Sequence, residues 1–252
     1  MSRIAPTLLG FLITLFSTPG LAQEGPQRET APDLKGTWDV QYRSTTEWTL
    51  PVIGKTRQQI RVSSHWSIKQ EGLGFTVNES ICSLEFHHSS PLLKFSFNEK
   101  LAQHLSGQQY TGRLRRGDAG WFIQTDSKTR HSGYVAGKTL ERELETIPET
   151  DWVDADGDGF PGLTIRLQGV VQGDLTALQR DTIRFEGKWN PSPPSVEGVV
   201  DWRWTRRLLA SSTDKIDFLP EETWVPVLES RKFQMHPTAP GATRCGPGSP
   251  SP

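Results

Sequence analysis

The amino-acid sequence predicts an all-β fold, an antiparallel barrel or a β-sandwich, with about ten strands and minimal helix. Residues 57–69 alternate between two faces over their whole length, which is the periodicity of a strand and not of a helix. Turns rich in Gly, Pro and Asp separate this stretch from other alternating segments. Antiparallel strands joined by short turns close into barrels or stack into sandwiches.

The first strand is placed by Trp38, Val40 and Tyr42, which fall on one face while polar residues fall on the other. Glycine-containing turns then divide the chain into further alternating segments. One stretch, 99–106, is predicted as a short helix. The strands predicted after the first are 57–69, 75–86, 121–123, 163–170, 174–179, 182–187, 197–209 and 230–235.

The first 22 residues have the form of a secretory signal peptide. Arg3 precedes an apolar stretch at 8–16, and Gly20-Leu21-Ala22 supplies small residues for cleavage. That stretch is too short for a membrane span, so we expect an exported protein, periplasmic or extracellular, without a transmembrane segment. The predicted organisation is a signal peptide at 1–22, a flexible leader at 23–34, a β domain at 35–236 and a Gly/Pro-rich tail at 237–252.

The charges of the chain almost cancel. It carries 28 basic and 29 acidic residues, for a formal net charge of −1. Nucleic acids and anionic membranes attract strongly basic proteins, so this balance argues against both as the main partner. We expect no nucleic-acid partner.

Cys82 and Cys245 are the two cysteines of the chain. In an oxidising compartment, an isolated pair is typically bridged. We therefore predict a disulfide that fastens the tail to the β domain. The alternative is two unrelated thiols.

Three carboxylates, Asp154, Asp156 and Asp158, occupy alternate positions of a short run that continues with Gly159. In a tightly curved loop, alternate side chains converge on one point, which suits Ca²⁺ with its six to eight oxygen ligands. We predict a structural Ca²⁺ site of these three residues. Any further ligand is expected from a carbonyl such as that of Phe160, from Asp151 or Asp174, or from water. The alternative is an Asp/Gly-rich turn that binds no metal.

This run resembles the D-x-D-x-D-G calcium loops of EF-hands, dockerins and thrombospondin type 3 repeats. An EF-hand has a bidentate Glu at the twelfth loop position, where this chain has Ile165. The segment after the loop also alternates like a strand and not like a helix. The resemblance therefore implies a calcium-type loop between strands.

Trp202 and Trp204 are two residues apart, so on a strand they share a face. An exposed aromatic pair stacks on sugar rings or holds an apolar molecule, which makes these residues candidates for ligand binding. The alternative is that both are core residues of a half-buried sheet.

The opening Lys35-Gly36-Thr37-Trp38 resembles the G-x-W start of lipocalins and other calycins, and Gly187-Lys188-Trp189 matches the same pattern. The chain is also similar to exported bacterial proteins that pair an early G-x-W strand with an aspartate loop of this type. The lipocalin resemblance implies an up-and-down barrel with an internal or rim site for a small molecule.

The expected function is that of an exported binding or structural β-protein with a structural calcium loop. The expected partner is a small apolar or amphipathic molecule, bound in calycin-like fashion. The alternative is a secreted carbohydrate-active enzyme or a carbohydrate-binding module, whose partner is a glycan. No catalytic residue is assigned, because the sequence contains neither an H-E-x-x-H nor a G-x-S-x-G motif.

Overall fold

A computed structural model describes residues 30–50, 54–135, 143–213, 225–227, 230–239 and 245. The signal peptide predicted at 1–22, residues 23–29 of the leader, and most of the tail lie outside the described residues. No helix among the described residues is long and apolar enough to cross a membrane.

The described chain is made almost entirely of strands. One α-helix, α1 (Leu101–Leu105), and two 3-10 turns, Leu144–Thr146 and Glu149–Asp151, interrupt them. The helix confirms the short helix expected at 99–106. The strands are β1 (Gly36–Leu50), β2 (Gly54–Glu71), β3 (Gly74–His88), β4 (Leu93–Phe97), β5 (Gln108–Gly117), β6 (Gly120–Thr125), β7 (Lys128–Ser132), β8 (Leu163–Gly169), β9 (Gly173–Pro191), β10 (Pro194–Ser211), β11 (Val225–Pro226) and β12 (Lys232–Pro237).

Eight of these strands form a closed ring. The order is β10-β12-β1-β2-β3-β5-β6-β9, and the antiparallel pairing of β9 with β10 joins its two ends. Because closure pairs every strand of the ring on both sides, the ring has no free edge. Strand β7 continues along β9 beyond β6, β8 and β4 extend the sheet from β9, and β11 pairs with β1. The predicted all-β antiparallel class is confirmed, and the ring is barrel-like.

The long strand β9 differs from the prediction, which divided it into 174–179 and 182–187. The polar run from Gln179 to Asp181 breaks the apolar alternation there. In the structure Asp181 is nevertheless 1% exposed and accepts hydrogen bonds from the Gln179 side chain. A buried polar residue with partners continues the strand, so polarity alone wrongly predicted a break.

Large aromatic side chains fill much of the ring interior. The rings of Trp66 and Phe185 lie 4.9 Å apart and meet edge to face, and Phe233 lies 5.1 Å from Phe185. Trp38 and Trp189, the tryptophans of the two G-x-W matches, also meet edge to face, with their centroids 6.1 Å apart. Interlocking rings of this kind position the polar groups described below.

The predicted disulfide between Cys82 and Cys245 is present, with the two Cα atoms 4.7 Å apart. It joins β3 to a residue 163 positions later in the sequence. Cross-linking so distant residues restricts the unfolded chain far more than a short loop would.

We expect Cys82→Ser to lower the free energy of unfolding by about 2–5 kcal/mol, because the unfolded chain regains the entropy that the bridge removes. Urea denaturation of the oxidised protein measures the change. Cys245→Ser and the double variant serve as controls and should lose the same amount, since each removes the same bond. Additive losses in the double variant would contradict this explanation.

Candidate functional site

The interior of the ring contains a fully buried carboxylate, Glu79 of β3, which is 0% exposed. Tyr42 donates its hydroxyl to Glu79 Oε1 at 3.2 Å, and Trp66 donates Nε1 to the same oxygen at 3.2 Å. Tyr110 donates its hydroxyl to Oε2 at 2.7 Å. Burial, followed by the charge of Glu79, raises the pKa of both tyrosines well above the usual value. Both hydroxyls therefore remain protonated and act as donors.

The counter-charge of Glu79 is Arg130 of β7, which is 3% exposed. Its Nη1 atom lies 3.9 Å from Glu79 Oε2, and its guanidinium group lies 5.5 Å from the centre of the Trp202 ring. In register Arg130 faces the buried Asp181 across β7 and β9. None of its three side-chain nitrogen atoms makes a hydrogen bond of normal geometry with a described residue. A buried guanidinium group with unused donors is costly unless another polar group takes them up.

The two tryptophans predicted to bind a ligand lie on β10 in different environments. Trp202 is 5% exposed, donates Nε1 to Asp181 at 3.1 Å and packs against Tyr42. Trp204 is half-buried, and the guanidinium group of Arg206 lies 4.6 Å from the centre of its ring. Trp202 thus belongs to the packed interior, while Trp204 retains accessible ring surface.

A polar belt of Thr46, Gln58 and His88 crosses three neighbouring strands of the ring. Gln58 is paired in register with Thr46 on one side and with His88 on the other. The buried atoms Thr46 Oγ1, Gln58 Nε2 and His88 Nδ1 have no hydrogen-bond partner among the described residues. Burial lowers the pKa of His88, so its imidazole is neutral at pH 7. Since most buried polar groups are paired, three adjacent exceptions point to a place for a polar ligand group.

Aromatic side chains adjoin the polar belt. Phe86, two residues before His88 on β3, stacks on Phe97 with the ring centroids 4.5 Å apart. The guanidinium group of Arg206 lies 5.9 Å from the centre of the Phe97 ring as well as close to Trp204. Phe86, Phe97 and Trp204 are only partly buried. Polar and aromatic surfaces therefore lie side by side in this part of the ring.

The aspartate loop, residues 154–159, lies just before β8. Asp154 Oδ1 accepts amide hydrogen bonds from residues 156, 157 and 158, at 2.7–3.3 Å, and its Oδ2 atom accepts one from Gly159 at 2.8 Å. The Gly159 bond and the other amide bonds lower the pKa of Asp154. Gly157 and Gly159 have φ angles of +70° and +93°, which residues with a Cβ atom rarely adopt. The sequence therefore fixes a tight curve around Asp154.

The curve brings the three predicted carboxylates together. Oxygen atoms of Asp154, Asp156 and Asp158 all lie within 4.8 Å of one another. Asp156 is 1% exposed; its Oδ2 atom accepts the amide of Thr164 at 3.1 Å, and its Oδ1 atom has no partner among the described residues. Burial and the two neighbouring carboxylates raise the pKa of Asp156 to about 6.

No ion pair joins these carboxylates to a described residue, and Lys100 Nζ donates to the loop carbonyl of Gly157 at 3.1 Å. Phe160, the fourth predicted ligand, donates its amide to Asp158 Oδ1 at 2.9 Å, and its side chain is 65% exposed. Ile165 lies in strand β8 and is 0% exposed. The loop is thus followed by a strand, as the sequence predicted. Three close carboxylates, one with a buried unpaired oxygen, suit a hard cation.

Comparison with known proteins gives this chain no relative. No protein-family model, no curated protein and no solved structure matches it.

Sequence reasoning missed the buried pair of Glu79 and Arg130. A signal for Glu79 was present, because it falls at the inward phase of β3 between Val77 and Ile81. A charged residue at an inward position of a strand predicts a buried residue of opposite charge beside it, because buried charges are usually paired. Nothing in the sequence identifies Arg130 as that counter-charge, since β3 and β7 are not paired with each other.

We expect Glu79→Gln to lower the free energy of unfolding by about 3–5 kcal/mol, because it removes the buried negative charge that accepts from three side-chain donors and lies 3.9 Å from Arg130. Chemical denaturation measures the loss, and exposed Glu197→Gln is the matched control, with an expected change below about 0.5 kcal/mol. The double variant Glu79→Gln with Arg130→Met should recover part of the loss. Equal effects of the Glu79 and Glu197 substitutions would contradict a role for the pair.

Proposed function

We propose that this protein is an exported, calycin-like binding protein that takes up a small amphipathic molecule at the polar belt. The observation that carries the proposal is a set of buried atoms on Thr46, Gln58 and His88 that have no hydrogen-bond partner among the described residues and lie next to partly exposed aromatic rings. A ligand with a hydrogen-bonding head group and an apolar body satisfies both surfaces. Binding sites of this kind combine an apolar lining with a few directed polar groups.

The belt favours a head group that both donates and accepts hydrogen bonds. The Gln58 Nε2 atom is a donor, and the Thr46 hydroxyl is both donor and acceptor. The Nε2 atom of His88 lies 2.8 Å from the carbonyl oxygen of Phe95, which can only accept, so Nε2 carries the proton and donates. In a neutral imidazole, Nδ1 is then the acceptor. A hydroxyl, an amide or a carboxyl group meets these requirements.

We expect Gln58→Leu to weaken binding of the fluorescent probe N-phenyl-1-naphthylamine, or of the compound extracted from native protein, by about three- to tenfold. The substitution keeps the volume similar and removes the side-chain amide, with its N–H donors and its carbonyl acceptor. Fluorescence titration with competition by the extracted compound measures the change. Gln109→Leu, at an exposed position of β5, is the matched control and should leave binding unchanged.

Two outcomes would count against an interior site. One is that neither extraction nor the probe reveals any binding. The other is that Gln109→Leu weakens binding as much as Gln58→Leu, which would indicate a nonspecific surface effect.

We also propose that Asp154, Asp156 and Asp158 bind Ca²⁺ in a structural role, with the Phe160 carbonyl as a further ligand. The buried Oδ1 atom of Asp156, which has no partner among the described residues, supports this, because a desolvated carboxylate beside two others is stabilised by a divalent cation. When bound, the ion would neutralise the cluster and fix the turn that leads into β8. Without a bidentate twelfth-position ligand, the affinity should be weak, about 10⁻⁴–10⁻³ M.

For a Kd of about 0.5 mM, 5 mM Ca²⁺ should stabilise the protein by about 1.4 kcal/mol, which corresponds to roughly 3–5 °C in Tm. Thermal melting with Ca²⁺ or with chelator measures the shift. Asp156→Ala should abolish it, and Asp118→Ala in the exposed β5–β6 turn should retain it. An unchanged wild-type Tm would make the loop an acidic turn, and an equal shift in Asp156→Ala would place the ion elsewhere.

Carbohydrate binding or cleavage is the alternative function. It requires exposed, coplanar tryptophans, whereas Trp202 is buried and bonded to Asp181. A glycan array separates this alternative from the lead proposal. A positive signal that Trp204→Ala removes, together with a negative result in the probe titration, would favour it.

A further inference from the structure

The outer face of the ring carries a groove of about 400 Å³ across β12, β1, β2 and β3. Its volume falls within the range of small-molecule sites. It is separate from the polar belt, because its polar side chains point away from the interior. The groove is lined mainly by outward side chains of these strands, among them Gln41, Arg43, Arg61, Ser63, Ser83 and Lys232.

Three cations stand directly opposite one another in this groove. Arg43 of β1 is paired in register with Lys232 of β12 on one side and with Arg61 of β2 on the other. Because directly opposite residues lie roughly 5 Å apart, this cationic row places three positive charges within a backbone distance of about 10 Å. Like charges in such positions destabilise a sheet. The row therefore lowers the stability of the sheet, and the fold itself does not require these three charges.

The described residues give the cationic row little charge compensation. No ion pair joins Lys232, Arg43 or Arg61 to a carboxylate of the described residues. The Nε atom of Arg43 is buried and has no hydrogen-bond partner there. Arg61 donates to the neutral side chain of Gln59, at 2.7 Å.

One carboxylate lies at the end of the row. Glu85 of β3 is paired in register with Arg61 and lines the groove. It also lies 3.2 Å from His87 Nε2. Among the described residues that line the groove, three cations face one carboxylate, which is a surplus of positive charge, although the whole chain is close to neutral.

We propose that this groove is a binding site for a small polyanion with at least two phosphate or carboxylate groups. Guanidinium groups bind such oxyanions through paired N–H donors, and Lys232 adds a point charge. The serine hydroxyls and glutamine amides of the lining provide hydrogen bonds for the uncharged part of the ligand. A bound polyanion would relieve the repulsion within the row, so binding and local stability are linked.

The test uses two polyanionic probes. Inositol hexakisphosphate carries phosphate groups, and trigalacturonate carries carboxylate groups. Calorimetric titration of the full chain at low salt should detect binding of at least one probe, which then identifies the oxyanion. The affinity should fall as the salt concentration rises, because the site is open to solvent. Arg43→Gln with Arg61→Gln should weaken binding at least tenfold.

Arg113→Gln with Arg115→Gln is the matched control, because it removes the same net charge from exposed positions of β5. It should leave the affinity within twofold. Glu85→Gln should tighten binding, and Arg61→Gln should raise the Tm of the protein without a probe, because it relieves repulsion. Absence of binding by both probes, or an equal loss in the control variant, would overturn the proposal.

Discussion

The buried carboxylate of Glu79 is the interaction on which the ring interior depends. Its hydrogen-bond donors come from Tyr42 of β1, Trp66 of β2 and Tyr110 of β5, and its counter-charge is Arg130 of β7. With its own strand, β3, five strands thus meet at one carboxylate. An ionised carboxylate in an apolar interior is stabilised by hydrogen-bond donors and by a counter-charge. The strands must therefore keep a register that brings these donors to Glu79, which makes the pair a determinant of register as well as of stability.

The same constraint divides the interior into two parts. Around Glu79, aromatic rings pack edge to face and the polar atoms of the carboxylate have partners. At the polar belt, whose Gln58 lies eight residues before Trp66 on β2, neighbouring polar atoms have no partner among the described residues, and the adjoining rings are only partly buried. The first part has the properties of a core, and the second has those of a binding surface. This division explains why Trp202 and Trp204 differ, although they lie on the same face of one strand.

The aspartate loop is held by the sheet and not by the ring interior. Backbone hydrogen bonds from Ala155 to Gly162 and from Gly162 to Val153 close its base. The amide of Thr164, at the start of β8, reaches back to Asp156. The loop is therefore anchored to the start of β8. Asp154 is already satisfied by backbone amides, whereas Asp156 retains an unpaired oxygen, and this difference makes Asp156 the most informative of the three carboxylates.

The sequence by itself determined the fold class, most strand positions, the short helix and the disulfide partners. Strand positions follow from the local alternation of apolar and polar residues and from glycine turns. The disulfide follows because the chain contains two cysteines and no third to compete. The sequence also predicted that the three carboxylates of the aspartate loop lie close together, because they are near one another in the chain. Only the tertiary structure decided that eight strands close into a ring and that Glu79 meets Arg130. Only the tertiary structure, likewise, placed Lys232, Arg43 and Arg61 side by side. These facts depend on strand order and register, which bring together residues far apart in the chain, and alternation within one strand carries no information about either.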